Sequence, residues 1–523
     1  MFALDLGAAT ASAAIIGEID GRRRLLASIS VPAGVDADDL LVHLVSRFSA
    51  ADPVLAADLG AGSDAVERWS RLVARSDPPP VLAVLASTVR ERDALERIAG
   101  LAGWRTRGAS LEADGPIELT RLALERGVRA IAVAAGEATS REEQAALVEL
   151  AALTRGIAER NPGPQVLLVG ALAAEAGSIP AGAAGDDPLF APGPEAGEPA
   201  GLPLRRFLER LVPASSAGRR ATPAAAVDLA AVLDRRVEVI DIGLDGGLRA
   251  VAGPEGLEGP AAFLPAAGLV PPELDDGVVD GILAWSTVPL DRHRMHDRLR
   301  ELRLAPWVEA HGEGALLRLS AARAALERLV RATPDLGALP APDLVVVAGG
   351  AWAAAPGPAI ALAVADVVRR PGASQLAFDH ARLLGPIGSL GDAVGRRALL
   401  GELADDLLAP LGTVIIPQGL RAGRSAGRLV VRGPAGETEL DLVPGGLQLV
   451  DLPPGQLATA DLRFRDQVGL GTRGRHLSIE VGGGLGGLLV DLRDVPLRLP
   501  ERAEPRRALL GAWQAAFWAG VAE

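Results

Sequence analysis

One pattern occurs twice in this chain and constrains its fold more than any other. At the start, FALDLG runs into AATAS and then AAIIG; far downstream, VEVIDIG runs into LDGG and then LRAVA (Val237–Ala252). Each copy is an apolar strand ending in Asp-x-Gly, a turn of small residues, and a second apolar strand. Two apolar runs joined by a glycine turn read as a hairpin. Its recurrence at so long an interval predicts two related lobes, each opening on the same hairpin.

Between and after the hairpins the texture changes in blocks. Residues 25–31 continue the first sheet, with Arg22-Arg23-Arg24 as a solvated turn. From 81 to 175, continuous apolar strands alternate with amphipathic helices, two of them opening on capping boxes, Thr88-x-x-Glu91 and Ser140-x-x-Glu143. That alternation predicts a parallel sheet covered on both faces. Residues 176–203 are rich in Gly, Pro, Ala and acids and read as a loop. After the second hairpin come a helix at Ala315–Ala332, a strand at Leu344–Ala348, the pair Gly349-Gly350, and a helix through Val368. From Gly412 short alternating strands separated by Gly and Pro predict a β-rich domain, followed by a helix over Arg506–Ala519 that carries Leu509, Leu510, Trp513 and Trp518. The expected division is a first lobe at 1–203 containing the insertion 81–175 and loop 176–203, a second lobe at 204–411, and a C-terminal domain at 412–523.

Composition removes whole classes of chemistry. There is no Cys, no Tyr and no Lys, so all 53 basic residues are Arg. Thiol nucleophiles, Cys-ligated metals, Schiff bases and the lysine of P-loop or kinase sites are excluded. The net charge of −13 and 3% aromatic content argue against a nucleic-acid surface. The uncharged run Leu344–Ala365 has the length of a membrane span, 22 residues, but Gly349-Gly350 and Pro356-Gly357-Pro358 break it into a strand, a turn and a helix. The N-terminus carries Asp5 without a preceding basic stretch, unlike a signal peptide. A cytoplasmic location is the expectation.

Three glycine turns carry the candidate chemistry. In the first, Gly7 lets backbone N–H groups converge on a phosphate, the hydroxyls of Thr10 and Ser12 can donate, and Asp5 can hold a hydrated Mg2+. The second supplies Asp241, Gly243 and Gly246, with Asp241 as the second metal-holding carboxylate and Asp245 as an added charge that would repel phosphate. The third is Gly349-Gly350, where a nucleoside can lie against the backbone; Trp352 beside it suits either stacking on a base or packing between lobes. Arg249 is the basic residue next to a hairpin turn. His293-x-x-His296-Asp297 has metal-like spacing, but it lies in a run of arginines that reads as a solvated helix face. The other histidines form no Ser-His-Asp pattern, and Asp186-Asp187 and Asp275-Asp276 read as turns.

Two Asp-x-Gly hairpins followed by a Gly-Gly before a helix resemble the order in actin-like, Hsp70-like and sugar-kinase-like ATPases. The stretches LLGPIGSLGDA (383–393), LGTVIIPQG (411–419), DQVGLGTRGR (466–475), VGGGLGGLLVDLRDVPLRLP (481–500) and RRALLGAW (506–513) resemble the glutamate mutase accessory protein family, the GlmL (MutL) type, which is unrelated to mismatch repair. That resemblance spans nearly the whole chain. It implies a two-lobed α/β actin-like ATPase fold with a β-rich C-terminal domain. It implies ATP with Mg2+ as ligands, bound at Asp5, Gly7, Thr10, Asp241, Gly243, Gly246, Gly349 and Gly350. It implies a chaperone-like reactivating role toward an adenosylcobalamin-dependent mutase subunit, with no membrane or nucleic-acid partner. No Asp-x-His-x-x-Gly stretch is present, so no direct cobalamin site is expected. Any ATPase activity is expected to be weak, because the second turn carries Leu244 and Asp245 where the family has hydroxyls. The alternatives are a degenerate scaffold that binds no nucleotide and a small-molecule kinase of the same fold.

Overall fold

The computed structural model describes residues 1–62, 64–136, 140–161, 163–172, 188–197, 200–212, 218–307, 311–353, 355–421 and 425–517. Half of the 176–203 loop, with Asp186-Asp187, and Trp518 lie outside these residues.

The chain opens with β1 (Phe2–Leu6), β2 (Thr10–Ile19), β3 (Arg22–Pro32) and, after helices, β4 (Arg71–Arg75). Their order is β3-β2-β1-β4: β1 is antiparallel to β2 and parallel to β4. The β2–β3 turn is Asp20-Gly21, both at positive φ (51° and 75°), the two-residue hairpin geometry that matches strand twist. Arg22–Arg24 therefore begin β3 instead of forming the turn; Arg24 pairs with Asp406 at 2.7 Å. Alternate residues of β1 and β2 (Phe2, Leu4, Ala11, Ala13, Ile15) pack on Leu40, Leu41, Leu44 and Phe48 of helix Ala37–Ala51.

Residues 78–216, with 262–266, form a separate compact unit. Its strands β5 (Val81–Ala86), β6 (Arg105–Ser110), β7 (Val128–Ala135), β8 (Gln165–Gly170) and β9 (Leu189–Ala191) are all parallel, in the order β6-β5-β7-β8-β9. Both capping boxes form as the sequence requires. Apolar clusters cover both faces, one under Leu119, Leu147 and Leu150, the other under Leu95, Ile98 and Trp104. Two details depart from expectation. Leu189–Ala191, inside the segment read as loop, adds the short strand β9. Helix Leu202–Leu211, placed by sequence in the second lobe, belongs here: Leu204 and Leu208 pack into this core and Trp104 Nε1 donates to the Leu208 carbonyl at 3.0 Å.

The second lobe repeats the first plan. It contains β10 (Val237–Ile242), β11 (Gly247–Gly253) and β12 (Gly256–Leu257); β13 (Ala262–Leu264) lies in the inserted unit; then come β14 (Leu344–Ala348), β15 (Gly372–Phe378) and β16 (Ala409–Ile416). β10 is antiparallel to β11 and parallel to β14, as β1 is to β2 and β4. The run Leu344–Ala365 resolves into strand, glycine turn and helix Gly357–Val367, and among the described residues no helix is long and apolar enough to cross a membrane.

All seven expected C-terminal strands form: β16, β17 (Gly427–Gly433), β18 (Gly436–Leu442), β19 (Leu447–Val450), β20 (Leu457–Leu470), β21 (Thr472–Gly482) and β22 (Leu488–Asp491). They do not stand apart as a domain beginning at 412. β16, β22 and β19 extend the second-lobe sheet, in the path β12-β11-β10-β14-β15-β16-β22-β19, while β18-β17-β20-β21 form a second sheet. One core, including Ile415, Leu429, Leu462, Val481 and Val490, serves both. The glycine-rich stretch before β22 exists for backbone packing. A Cβ at Gly484 would stand 2.2 Å from the Gly412 nitrogen, and Gly486 N–H donates to the Leu411 carbonyl at 2.7 Å. Behind it, Asp491 and Asp366 are buried with Arg369, Arg323 and Arg493, and Arg493 lies over Trp513 of the terminal helix, 4.3 Å from the ring centroid.

Candidate functional site

The two hairpin turns are built alike. Gly7 N–H donates to the Thr10 carbonyl at 2.9 Å, and Gly243 N–H donates to the Gly246 carbonyl at 2.9 Å. In each, the carboxylate two residues before the glycine sits at the end of the strand that is antiparallel to one neighbour and parallel to the other. That is the place in an open α/β sheet where the order reverses and a crevice opens. Asp241 is level with Ala348 of β14, which delivers Gly349-Gly350 onto the same spot. Gly349 has φ 95°, and a Cβ there would stand 2.3 Å from Asp241 Oδ1. A Cβ at Gly350 would stand 3.1 Å from the Thr10 hydroxyl. Only glycine lets β14 end this close to both turns.

Asp5, Thr10, Asp241, Gly349 and Gly350 are therefore brought together, with Gly7 and Gly243 in the adjoining turns. Gly246 is buried, and segment 268–270 laces onto its turn: Leu269 N–H donates to the Gly243 carbonyl at 2.9 Å, and a Cβ at Gly268 would stand 2.6 Å from the Gly246 nitrogen. Ser12 does not face the turn. Its hydroxyl bonds Ser30 across β2 and β3 at 2.8 Å. Arg249 is also elsewhere, fully buried against Glu238 and Thr333. Trp352 is fully buried, which leaves packing as its role, and among the described residues no three acidic or histidine side chains, His293 and His296 included, could hold a metal ion.

The sequence reading missed the groups that complete the site. Asp379, just after β15, is buried with its carboxylate accepting from the N–H groups of Leu383 (2.8 Å) and Leu384 (3.0 Å). Three residues on, Arg382 has left-handed backbone, φ 55°, which is rare and costly for a residue with a Cβ. Its guanidinium is buried and donates to the Thr10 hydroxyl. Arg318 is buried beside it and donates to the carbonyls of Gly350 (2.8 Å), Ala351 (3.3 Å) and Pro306. Trp307 Nε1 donates to the Ala9 carbonyl at 3.2 Å, so the first turn is gripped twice from the second lobe. Asp245 does not present an open charge: Arg303 pairs with it at 2.7 Å. A lone Arg in DHARLLG carries no motif, which is why the arginines escaped notice.

The electrostatics follow from burial. Burial pushes the Asp5 carboxyl up to about 6, against the pull of Arg382. Asp241 rises to about 7, through burial and then repulsion from Asp5 and Asp379, again opposed by Arg382. Asp379 rises to about 6 through burial, while the Leu384 and Leu383 amides hold it down. Arg318 falls to about 10, from burial and then its neighbour Arg382. Three carboxyl groups thus share the field of one guanidinium.

This duplicated strand plan, with two Asp-x-Gly hairpins meeting under a glycine pair, is the two-lobed α/β arrangement that the resemblance to actin-like ATPases implies. No protein-family model matches the chain, and no curated protein sequence matches it. Solved structures similar to it include a nucleotide-free acetone carboxylase (10% identity, 84% of this chain and 80% of that one, TM-score 0.30). A ROK hexokinase from Thermus thermophilus matches at 15% identity (74% and 97%, TM-score 0.22), and a chain of the PilM-PilN type IV pilus biogenesis complex at 12% (77% and 98%, TM-score 0.21). At such values the assignment rests on strand order and site geometry.

The resemblance implies a divalent cation held by Asp5 and Asp241. The residues present fit it poorly. The space the carboxylates share already lies in the field of a buried cation, the Arg382 guanidinium.

Proposed function

We propose that this chain binds a nucleoside triphosphate, ATP in the first instance, at the meeting point of its two hairpins. We further propose that it serves as an accessory or reactivating factor for an adenosylcobalamin-dependent mutase of the glutamate mutase type. The observation that carries the first part is the convergence of Asp5, Thr10, Asp241, Gly349 and Gly350 on one place from three segments far apart in sequence. Backbone N–H groups of the Gly7–Thr10 turn, and the guanidinium of Arg382, are the donors a phosphate chain would meet. The glycine pair leaves the backbone bare for the nucleoside. Occupancy would exchange the Arg382–Thr10 contact for contacts to phosphate and so shift the lobes relative to one another, and a partner that prefers one state reads that shift. The mutase partner is supported by the family resemblance of the C-terminal stretches.

Hydrolysis is slow in this reading. No lysine exists to steady the transferring oxygens, and Asp379, the most buried carboxylate of the cluster, is committed to two backbone amides. A scaffold that has lost its nucleotide is the second reading, favoured by the closed Arg382–Thr10 contact. Calorimetric titration with ATP separates the two. Incubating the protein and ATP with a mutase whose cobalamin is damaged tests the partner: restored turnover on adding fresh cofactor supports it, and no recovery refutes it.

A further inference from the structure

We propose that Arg382 is the resident cation of this site, standing where the fold otherwise uses a divalent metal, so that the anionic ligand is taken metal-free. The ligand side of this inference rests on the nucleotide reading above; the cation side does not.

Three observations carry it. Arg382 lies in the field of all three carboxylates of the cluster, Asp5, Asp241 and Asp379. Its side chain is held there by structure: it is buried, its hydroxyl partner Thr10 is buried, and its backbone adopts the left-handed conformation. Gly350 leaves the room, since a Cβ there would crowd Thr10 Oγ1 at 3.1 Å and reach Arg382 Nη2 at 3.5 Å. A guanidinium is a permanent planar donor that bonds phosphate oxygens through two N–H groups at once. A tethered cation requires no dissolved metal. It also offsets part of the cluster's charge before ligand arrives, and a divalent ion would have to displace it at the cost of a buried, unpaired Arg.

The test uses the full chain and two probes. Mn2+ is titrated into nucleotide-free protein and free Mn2+ is read by electron paramagnetic resonance. Wild type is expected to hold no stoichiometric Mn2+ up to 1 mM (roughly the weak limit of calcium-type sites), and Arg382→Met is expected to gain one site. Separately, ATP affinity is measured in EDTA and in Mg2+. Wild type is expected to bind within about threefold in the two, while Arg382→Met loses at least tenfold in EDTA and recovers in Mg2+; Arg382→Lys should follow wild type. A tight Mn2+ site in wild type, or a tenfold gain of wild-type ATP affinity from Mg2+, overturns the inference without use of any variant. Wild type that binds neither ATP nor Mn2+ defeats the nucleotide reading and leaves the cation assignment standing on the Mn2+ gained by Arg382→Met; no gain there overturns it too.

Discussion

Two groups of buried charges in this molecule do opposite things. Asp491 lies between Arg369 and Arg493, and Asp366 between Arg323 and Arg493, all less than a tenth exposed. Although burial works against its charge, the Asp491 carboxyl is held below its usual value by Arg493 and Arg369. This network is structural: it fastens β22 to helix Gly357–Val367. Arg493→Met should cost ~3–5 kcal/mol, because it strands two carboxylates without their shared partner; urea unfolding measures it. The hairpin cluster behaves in the reverse way. Its carboxyls titrate at about 6, 7 and 6, above the ordinary 3.8. Folded protein therefore holds protons that the unfolded chain has released between about pH 4 and 7. By linkage, stability is greatest where the cluster is protonated and falls as pH rises through 6 to 7. The melting temperature of ligand-free protein should drop from pH 5.5 to pH 8, and Asp241→Asn should flatten that slope. An unchanged slope in the variant would mean the cluster is not the cause.

At the scale of elements, glycine does two different jobs. In the hairpins it shapes a site. In the segment before β22 it lets backbones touch: Gly412 has φ 120°, and a Cβ on it would stand 1.9 Å from the Gly487 carbonyl oxygen. Gly412→Ala should therefore destabilise the chain by ~1–3 kcal/mol or more, well beyond an exposed glycine such as Gly391. Thermal unfolding of both variants checks it. The same contrast explains what was legible in the sequence. Period-two alternation, Asp-x-Gly turns and capping boxes are local signals, so the hairpins, the inserted parallel sheet and all seven C-terminal strands could be read directly. Which sheet a strand joins is a non-local choice. Nothing in LGTVII or GLLVDLR states that β16 and β22 pair with each other and continue the second-lobe sheet. Likewise Asp5, Asp241 and Gly349 carry a turn signature, whereas Arg382, Arg318 and Trp307 reach the site by tertiary packing alone. Arg249, close to the turn in sequence, points into the core because it pairs with Glu238 across the sheet.

At the scale of the whole molecule, the two copies of the hairpin plan place the ends of β1 and β10 at one site. The second lobe grips the first through Trp307 to Ala9 and Arg382 to Thr10. Any ligand that engages both turns must act on those contacts, which makes the site a natural point from which to shift the lobes. The inserted unit has its own two-faced core, and the C-terminal strands share theirs with the second lobe. Calorimetric titration of ATP into the full chain tests the central claim most directly, in EDTA, with Thr10→Val and Gly349→Val as controls. One ATP per chain at submillimolar affinity, lost in Gly349→Val and weakened in Thr10→Val, is the predicted result. No heat at millimolar ATP, or binding indifferent to Gly349→Val, would contradict it.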